Sequence, residues 1–70
     1  MELKEVLSSN IKRIGYDDKC LLVEYMSGAM YRYKDVPRSV YKQFLEAESK
    51  GRFMNENIKG TYKYERINKN

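Results

Sequence analysis

The chain has 70 residues, a formal net charge of +4, 41% hydrophobic residues and 13% aromatic residues. This length predicts one small domain, residues 1–70, with a net stability of about 3–5 kcal/mol. The apolar content argues against a disordered chain.

The residue types argue against several classes of site. Cys20 is the only cysteine and histidine is absent, so neither an intramolecular disulfide nor a zinc site is expected. Without histidine the usual general base at neutral pH is missing, and we predict no catalytic activity and no cofactor. No apolar run approaches the roughly 20 residues that span a bilayer, and the N-terminus lacks a signal-peptide core. We therefore expect a cytoplasmic protein that binds no membrane.

The first half of the chain predicts a three-stranded antiparallel meander. Residues 11–16, 20–26 and 29–34 have the composition and alternation of strands. The Asp-Asp-Lys stretch between the first two strands supplies a turn, because aspartate tolerates tight-turn backbone angles. Both ends are expected to be loose: residues 67–70 fray, and residues 1–8 form an arm that contacts the core through Leu3, Val6 and Leu7.

The register of the second hairpin decides where its tyrosines point. A two-residue Ser27-Gly28 loop would place Glu24 on the same face as the tyrosines. A three-residue loop over 26–28 instead puts Gly28 at the left-handed position of a bulged turn. With this loop the apolar residues of both strands lie on one face of the hairpin, and we therefore predict this register. The expected core face carries Leu21, Val23, Tyr25, Ala29, Tyr31 and Tyr33. The opposite face carries Leu22, Glu24, Met30, Arg32 and Lys34.

A helix is predicted over residues 37–49. Pro37 suits the first helical position, where its missing N–H is no loss, and Gly51 suits a C-cap. Apolar residues recur at helical spacing and would pack on the sheet. They are Val40, Phe44 and Ala47, flanked by Tyr41 and Leu45.

The remaining segment is less regular. Phe53 and Ile58 are expected in the core, and Asn55 is expected to cap a single helical turn that Gly60 ends. Residues 62–65 alternate and predict a short fourth strand at a sheet edge. The sequence therefore predicts an α+β fold: a three-stranded antiparallel meander, one helix packed on one face, and an irregular C-terminal segment.

Basic residues and tyrosines form the pattern that points to a ligand. A groove lined by such side chains can hold an RNA backbone and stack a base. Scattered lysine and arginine also keep a small domain soluble, and a charge of +4 is compatible with either explanation. The candidate nucleic-acid contacts are Arg32, Lys34, Arg52, Lys59, Lys63, Arg66 and Tyr62.

Six short motifs in order resemble the KTSC domain, which is named for its occurrence at the C-terminus of some lysyl-tRNA synthetases. They are S-S-N-I at 8–11, G-Y-D at 15–17, L-L-V-E-Y at 21–25, Y-R-Y at 31–33, V-P at 36–37 and G-R-F-M-N-E-N-I at 51–58. The resemblance covers about residues 6–66 and implies a stand-alone domain of the kind found in small bacterial and phage proteins. It also implies a suggested role in RNA binding. Asn10 and Asn55 match motif positions, and we interpret both as backbone-capping or turn residues.

Two functional hypotheses follow. The first is a non-enzymatic module that binds RNA or another single-stranded nucleic acid through its basic surface. The alternative is a protein-interaction module, either a phage-encoded factor that binds a host protein or a homodimer-forming domain. Its contact patch would be Leu22 and Met30, since exposed apolar residues mark partner surfaces.

Overall fold

The computed structural model of the protein describes residues 3–6 and 8–67. These residues form a five-stranded antiparallel sheet whose strands lie in sequence order, with two short helices against one face. The strands are β1 (Lys4–Glu5), β2 (Ile11–Asp17), β3 (Cys20–Tyr25), β4 (Met30–Tyr33) and β5 (Tyr64–Arg66). Between β4 and β5 lie α1 (Arg38–Glu46), α2 (Lys50–Phe53) and a π-helical turn (Met54–Ile58) that directly follows α2.

The predicted architecture of three strands and one helix is wrong. The N-terminal arm forms β1, where Lys4 pairs with Ile14, and β5 pairs along β4 to make the fifth strand. A two-residue strand such as β1 has no periodicity to detect. The short edge strand predicted over 62–65 is present as β5, which spans Tyr64–Arg66. In the arm, Val6 packs against the core, whereas Leu7 lies outside the described residues.

The predicted hairpin register is confirmed. Leu21 pairs with Tyr33 and Val23 pairs with Tyr31 across β3 and β4. The loop holds Gly28 at φ 97°, and its backbone N–H donates to the Tyr25 carbonyl at 2.9 Å. A glycine is favoured here because side chains rarely tolerate this backbone region. The tyrosines of β4 consequently point toward the helices, although Tyr33 is buried and Tyr31 is half-buried.

A bulge shapes β2. The pairing with β3 shifts between Ile11 and Arg13, so that Ile11 and Ile14 are both fully buried despite a spacing of three. The following turn has positive φ at Asp18 (49°) and Lys19 (64°), the geometry of a tight hairpin of type I′.

The predicted helix over 37–49 ends earlier than expected. Pro37 is the N-cap in extended conformation rather than the first helical residue, and α1 stops at Glu46. Gly51 is not a C-cap, because Ser49 begins a second helix by accepting a hydrogen bond from the Arg52 backbone N–H at 3.3 Å. The new helix leads into the π-helical turn, where the Lys59 N–H reaches the Met54 carbonyl at 2.8 Å. Asn55 lies inside this turn rather than at its cap.

One core joins the sheet to the helical segment. Ile58 is buried as predicted, and Phe53 is half-buried with its ring stacked on Phe44 at a centroid distance of 5.3 Å. The fully or almost fully buried apolar residues are Ile11, Ile14, Leu21, Val23, Tyr33, Val36, Phe44, Met54 and Ile58.

Candidate functional site

A groove of about 810 Å³ opens beside the β3–β4 hairpin, where β5 and the π-helical turn meet the sheet. Four tyrosines line it, and we call it the tyrosine groove: Tyr25, Tyr31, Tyr33 and Tyr64. Its other polar lining includes Asn10, Asn55 and Lys59. Clefts that bind small ligands commonly have volumes of about 300–1,000 Å³, so the groove is large enough to hold one.

The tyrosine rings support one another. The Tyr64 ring meets the Tyr31 ring edge-on, with centroids 5.6 Å apart, and lies 5.4 Å from the Tyr33 ring. Tyr25 meets Tyr31 edge-on in the same way at 5.6 Å. Tyr64 is nevertheless 60% exposed. Its ring is therefore held in place by two neighbours while most of the side chain remains open to solvent.

The tyrosine groove is free of negative charge among the described residues. Burial raises the pKa of Tyr33, and burial also raises the pKa of Tyr25, whose hydroxyl lies 3.4 Å from that of Tyr33. Both phenols therefore stay neutral in the physiological range. The Lys59 ammonium lies 5.7 Å from the centre of the Tyr25 ring, within cation–π distance. The lining contains no acidic residue, so the local charge is positive.

The outer face of the sheet, which is turned away from the helices, carries paired charges. The Arg32 guanidinium donates to the Glu65 carboxylate, and the Lys34 Nζ lies 3.9 Å from the same group. The hydrogen bond from Arg32, reinforced by the two positive charges, lowers the pKa of Glu65. A similar pair lies on β2 and β3, where the Arg13 side chain donates to the Glu24 carboxylate at 2.5 Å. The predicted contacts Arg32 and Lys34 thus lie opposite the tyrosine groove and already have an anionic partner.

The other predicted contacts are dispersed. Arg52 bonds Glu56 at 3.0 Å on the helical surface, and Lys63 is exposed before β5. Arg66 lies opposite Tyr31 in the β4–β5 register and so is on the same side of the sheet as the groove, but it is not one of the lining residues. Tyr62 is half-buried against the core. Of the predicted set, Lys59 lines the tyrosine groove.

The alternative contact patch lies on the outer face as predicted. Leu22 is half-buried between Gly15 and Arg32, its neighbours on the adjacent strands. Met30 is half-buried opposite Glu24. The β4–β5 ladder continues with the Ile67 N–H, which donates to the Met30 carbonyl at 2.9 Å, and Ile67 is 40% exposed.

Sequence reasoning missed the groove residues contributed by distant segments. The sequence places Tyr64 on an edge strand among basic residues but does not single it out as a contact, and it predicts Asn10 and Asn55 as turn or capping residues. The signal was present in the spacing of Tyr62 and Tyr64, which repeats that of Tyr31 and Tyr33. However, only the β4–β5 pairing places Tyr64 opposite Tyr33.

Residues 3–6 and 8–67 contain neither a cluster of metal ligands nor a membrane-spanning helix. No group of three or more potential metal ligands lies together. No helix combines the length and apolar character that a bilayer crossing needs.

The family model of the KTSC domain matches residues 7–64. The chain belongs to the KTSC domain family. The prediction made from the six motifs is therefore confirmed. The fold agrees as well: the crystal structure of a KTSC domain protein from Yersinia pestis superposes with a TM-score of 0.93 at 35% identity, covering 96% of this chain and 97% of that one.

Two sequence relatives show the settings in which this KTSC domain occurs. An uncharacterized protein of Stutzerimonas stutzeri (strain A1501) is 46% identical over 63 residues, which cover 86% of this chain and 89% of the relative. A lysine–tRNA ligase of Nostoc punctiforme is 41% identical over 61 residues, which cover 84% of this chain but 11% of the ligase. The domain is thus similar both to a small protein as a whole and to a minor part of a large enzyme.

Proposed function

We propose that the tyrosine groove binds single-stranded nucleic acid, and RNA in particular, without transforming it chemically. The observation that carries the proposal is Tyr64, a largely exposed ring that Tyr31 and Tyr33 hold in place within a groove whose one charged lining residue, among the described residues, is Lys59. Proteins that bind single strands combine aromatic platforms with positive charge along the backbone path.

The contributions divide between stacking and charge. A base stacked on Tyr64 gains about 1–3 kcal/mol, whichever base it is, because every base has a π-face. Lys59 attracts the adjacent phosphate, and no acidic side chain of the described lining opposes it. The neutral phenols of Tyr25 and Tyr33 offer hydrogen bonds without repelling an anion. The proposed contacts with the nucleic acid therefore lie on the opposite side of the sheet from Arg32 and Lys34.

The relatives support RNA as the partner. A domain similar to this chain forms part of proteins named lysine–tRNA ligase, whose name states that they act on a tRNA. The matched part is 11% of the ligase, so the ligase activity itself is not transferred to this chain.

We also propose that the tyrosine groove binds its ligand without catalysing a reaction. General bases work best when their pKa lies near the operating pH. The raised pKa values of Tyr25 and Tyr33 move these phenols away from that range. The groove therefore suits recognition better than proton transfer.

A salt titration tests the proposal. A labelled oligouridylate is titrated at several salt concentrations with the wild type, Lys59→Ala, and Lys42→Ala as a control. Lys42 is an exposed lysine of α1 outside the groove lining, so both variants lose one charge. We expect Lys59→Ala to weaken binding and reduce the log–log salt slope by about 0.7, and Lys42→Ala to change neither. No binding at low salt, or equal effects of the two variants, would contradict the proposal.

A protein partner on the outer face is the second candidate. Ile67 is 40% exposed and follows the ladder beside Met30, which extends the apolar patch that Leu22 begins. The partner we propose for this face is a second copy of the chain. Sedimentation equilibrium checks it: a dimer that Leu22→Asp abolishes in a folded protein supports it, and a monomer at high concentration rules it out.

A further inference from the structure

The tyrosine groove does not end at the π-helical turn. A second depression of about 550 Å³ adjoins it, and three residues line both: Asn10, Gly51 and Asn55. We call these three residues the saddle. Beyond the saddle the depression is lined by hydroxyl and charged groups, including Ser8, Ser9 and Arg52. The two concave surfaces therefore meet at the saddle, and Gly51 is its residue without a side chain.

Glycine at the saddle has no explanation in the fold. Gly51 lies within α2 and does not have the positive φ that would require glycine. Alanine is the better helix former, because glycine loses more conformational freedom on folding. Crowding does not require glycine either: the nearest atom to a Cβ at this position is the Asn10 Nδ2, at 3.6 Å, an ordinary contact distance. Glycine at this position leaves the boundary between the two depressions without a side chain.

We propose that the single strand crosses the saddle over Gly51, with one base stacked on the Tyr64 ring and the following nucleotide in the second depression. This inference rests on the proposed function of the tyrosine groove. A Cβ at Gly51 would rise into the path between the two surfaces. Serine hydroxyls and asparagine amides are groups that contact phosphates and sugars. Asn10 and Asn55 supply amides at the saddle, and Ser8 and Ser9 supply hydroxyls beyond it.

Charge does not favour the strand beyond the saddle. The charged lining there is one arginine and two carboxylates: Arg52 is bonded to Glu56, and Glu48 also lines the depression, so the described lining does not attract a phosphate. The hydroxyl of Ser8 accepts from the Asn10 and Ile11 N–H groups at 3.3 Å, which leaves its own proton to donate. The second nucleotide is therefore held by hydrogen bonds and surface contact. It follows that a longer strand binds more tightly than a short one chiefly because it reaches across Gly51.

The test compares strand lengths in three proteins: the wild type, Gly51→Ala, and Gln43→Ala. Gln43 is exposed on α1 and lies outside both depressions, so its variant is a matched exchange to alanine in a helix. Binding of labelled uridine monophosphate, which is too short to cross the saddle, and of a labelled diuridylate, which is just long enough, is measured by fluorescence anisotropy, and thermal midpoints are measured by circular dichroism. The same series in deoxythymidylates distinguishes RNA from DNA as the strand.

We expect the wild type and Gln43→Ala to prefer the longer strand by about tenfold, the value of one additional nucleotide contact. In Gly51→Ala the preference should be lost while the thermal midpoint is unchanged or higher. An undiminished preference overturns the saddle proposal and leaves the groove proposal standing. A lower midpoint also overturns it, because the fold would then require glycine. If the wild type binds neither length at low salt, the proposed function fails and the saddle path fails with it.

Discussion

Tyr64→Ala is the variant that separates binding from stability most clearly. Tyr64 is 60% exposed and outside the buried core, and its ring contacts are those with Tyr31 and Tyr33. Aromatic pairs contribute about 0.5–1.5 kcal/mol each, and at this exposure we expect the low end, about 1 kcal/mol for both contacts. With an expected stability of about 3–5 kcal/mol, the variant remains folded.

The expected loss of affinity is larger. A base that can no longer stack forfeits about 1–3 kcal/mol, which corresponds to about 5- to 150-fold in Kd. Tyr64→Phe keeps the ring and should weaken binding much less than Tyr64→Ala. Fluorescence anisotropy with an oligouridylate measures the affinities, and urea denaturation of each variant measures the free energy of unfolding.

The comparison with Arg32→Ala decides which face of the sheet binds. Arg32 lies on the outer face and is bonded to Glu65, so its removal should leave binding by the tyrosine groove nearly unchanged. If Arg32→Ala weakens binding strongly while Tyr64→Ala does not, the basic outer face is the interface and the assignment of the groove is wrong.

Three further predictions concern the fold. Phe44→Ala removes a fully buried ring and should cost about 3–5 kcal/mol, as much as the whole expected stability, so far-ultraviolet circular dichroism should show an unfolded chain. Tyr16→Phe leaves the Val36 carbonyl without the hydroxyl that donates to it at 2.6 Å; we expect a loss of about 1 kcal/mol in urea denaturation, and an unchanged midpoint would refute it. The hydrogen bond from Arg13 lowers the pKa of Glu24 in the folded protein. The contribution of Glu24 to stability is therefore complete above its pKa in the unfolded chain and is lost as the pH falls through its pKa in the folded protein. Below about pH 4.5 the free energy of unfolding should therefore fall less steeply with decreasing pH for Glu24→Gln than for the wild type. The same pH dependence in both proteins would contradict this.

Parts of the candidate site could be read from local pattern. The β3–β4 register followed from keeping Glu24 out of the apolar face, and it correctly placed Tyr31 and Tyr33 toward the helices. Lys59 was among the predicted basic contacts. The pairing of Arg32 with Glu65 was not predictable, because it depends on which strand lies beside β4.

The helical segment illustrates why the rest was missed. Apolar spacing continues from Val40 to Ala47 and favours one uninterrupted helix. In the structure Ala47 adopts an extended backbone and donates its N–H to Phe44, and Ser49 caps a second helix. Ser49 is a good N-cap residue, but Ala47, two residues before it, is not a residue that signals a helix end. Burial of Met54 and Ile58 against the sheet favours the break.

The sequence by itself determined the family, the central hairpin and the face of each of its residues, because alternation and turn chemistry act between neighbours in the chain. Tertiary structure decided the number of strands, the break in the helix and the tyrosine groove. The groove draws on the segment around Asn10, the β3–β4 hairpin, the π-helical turn and β5. Such a surface exists only after distant segments have paired, and the free energy that selects the pairing comes from the shared core rather than from any one segment.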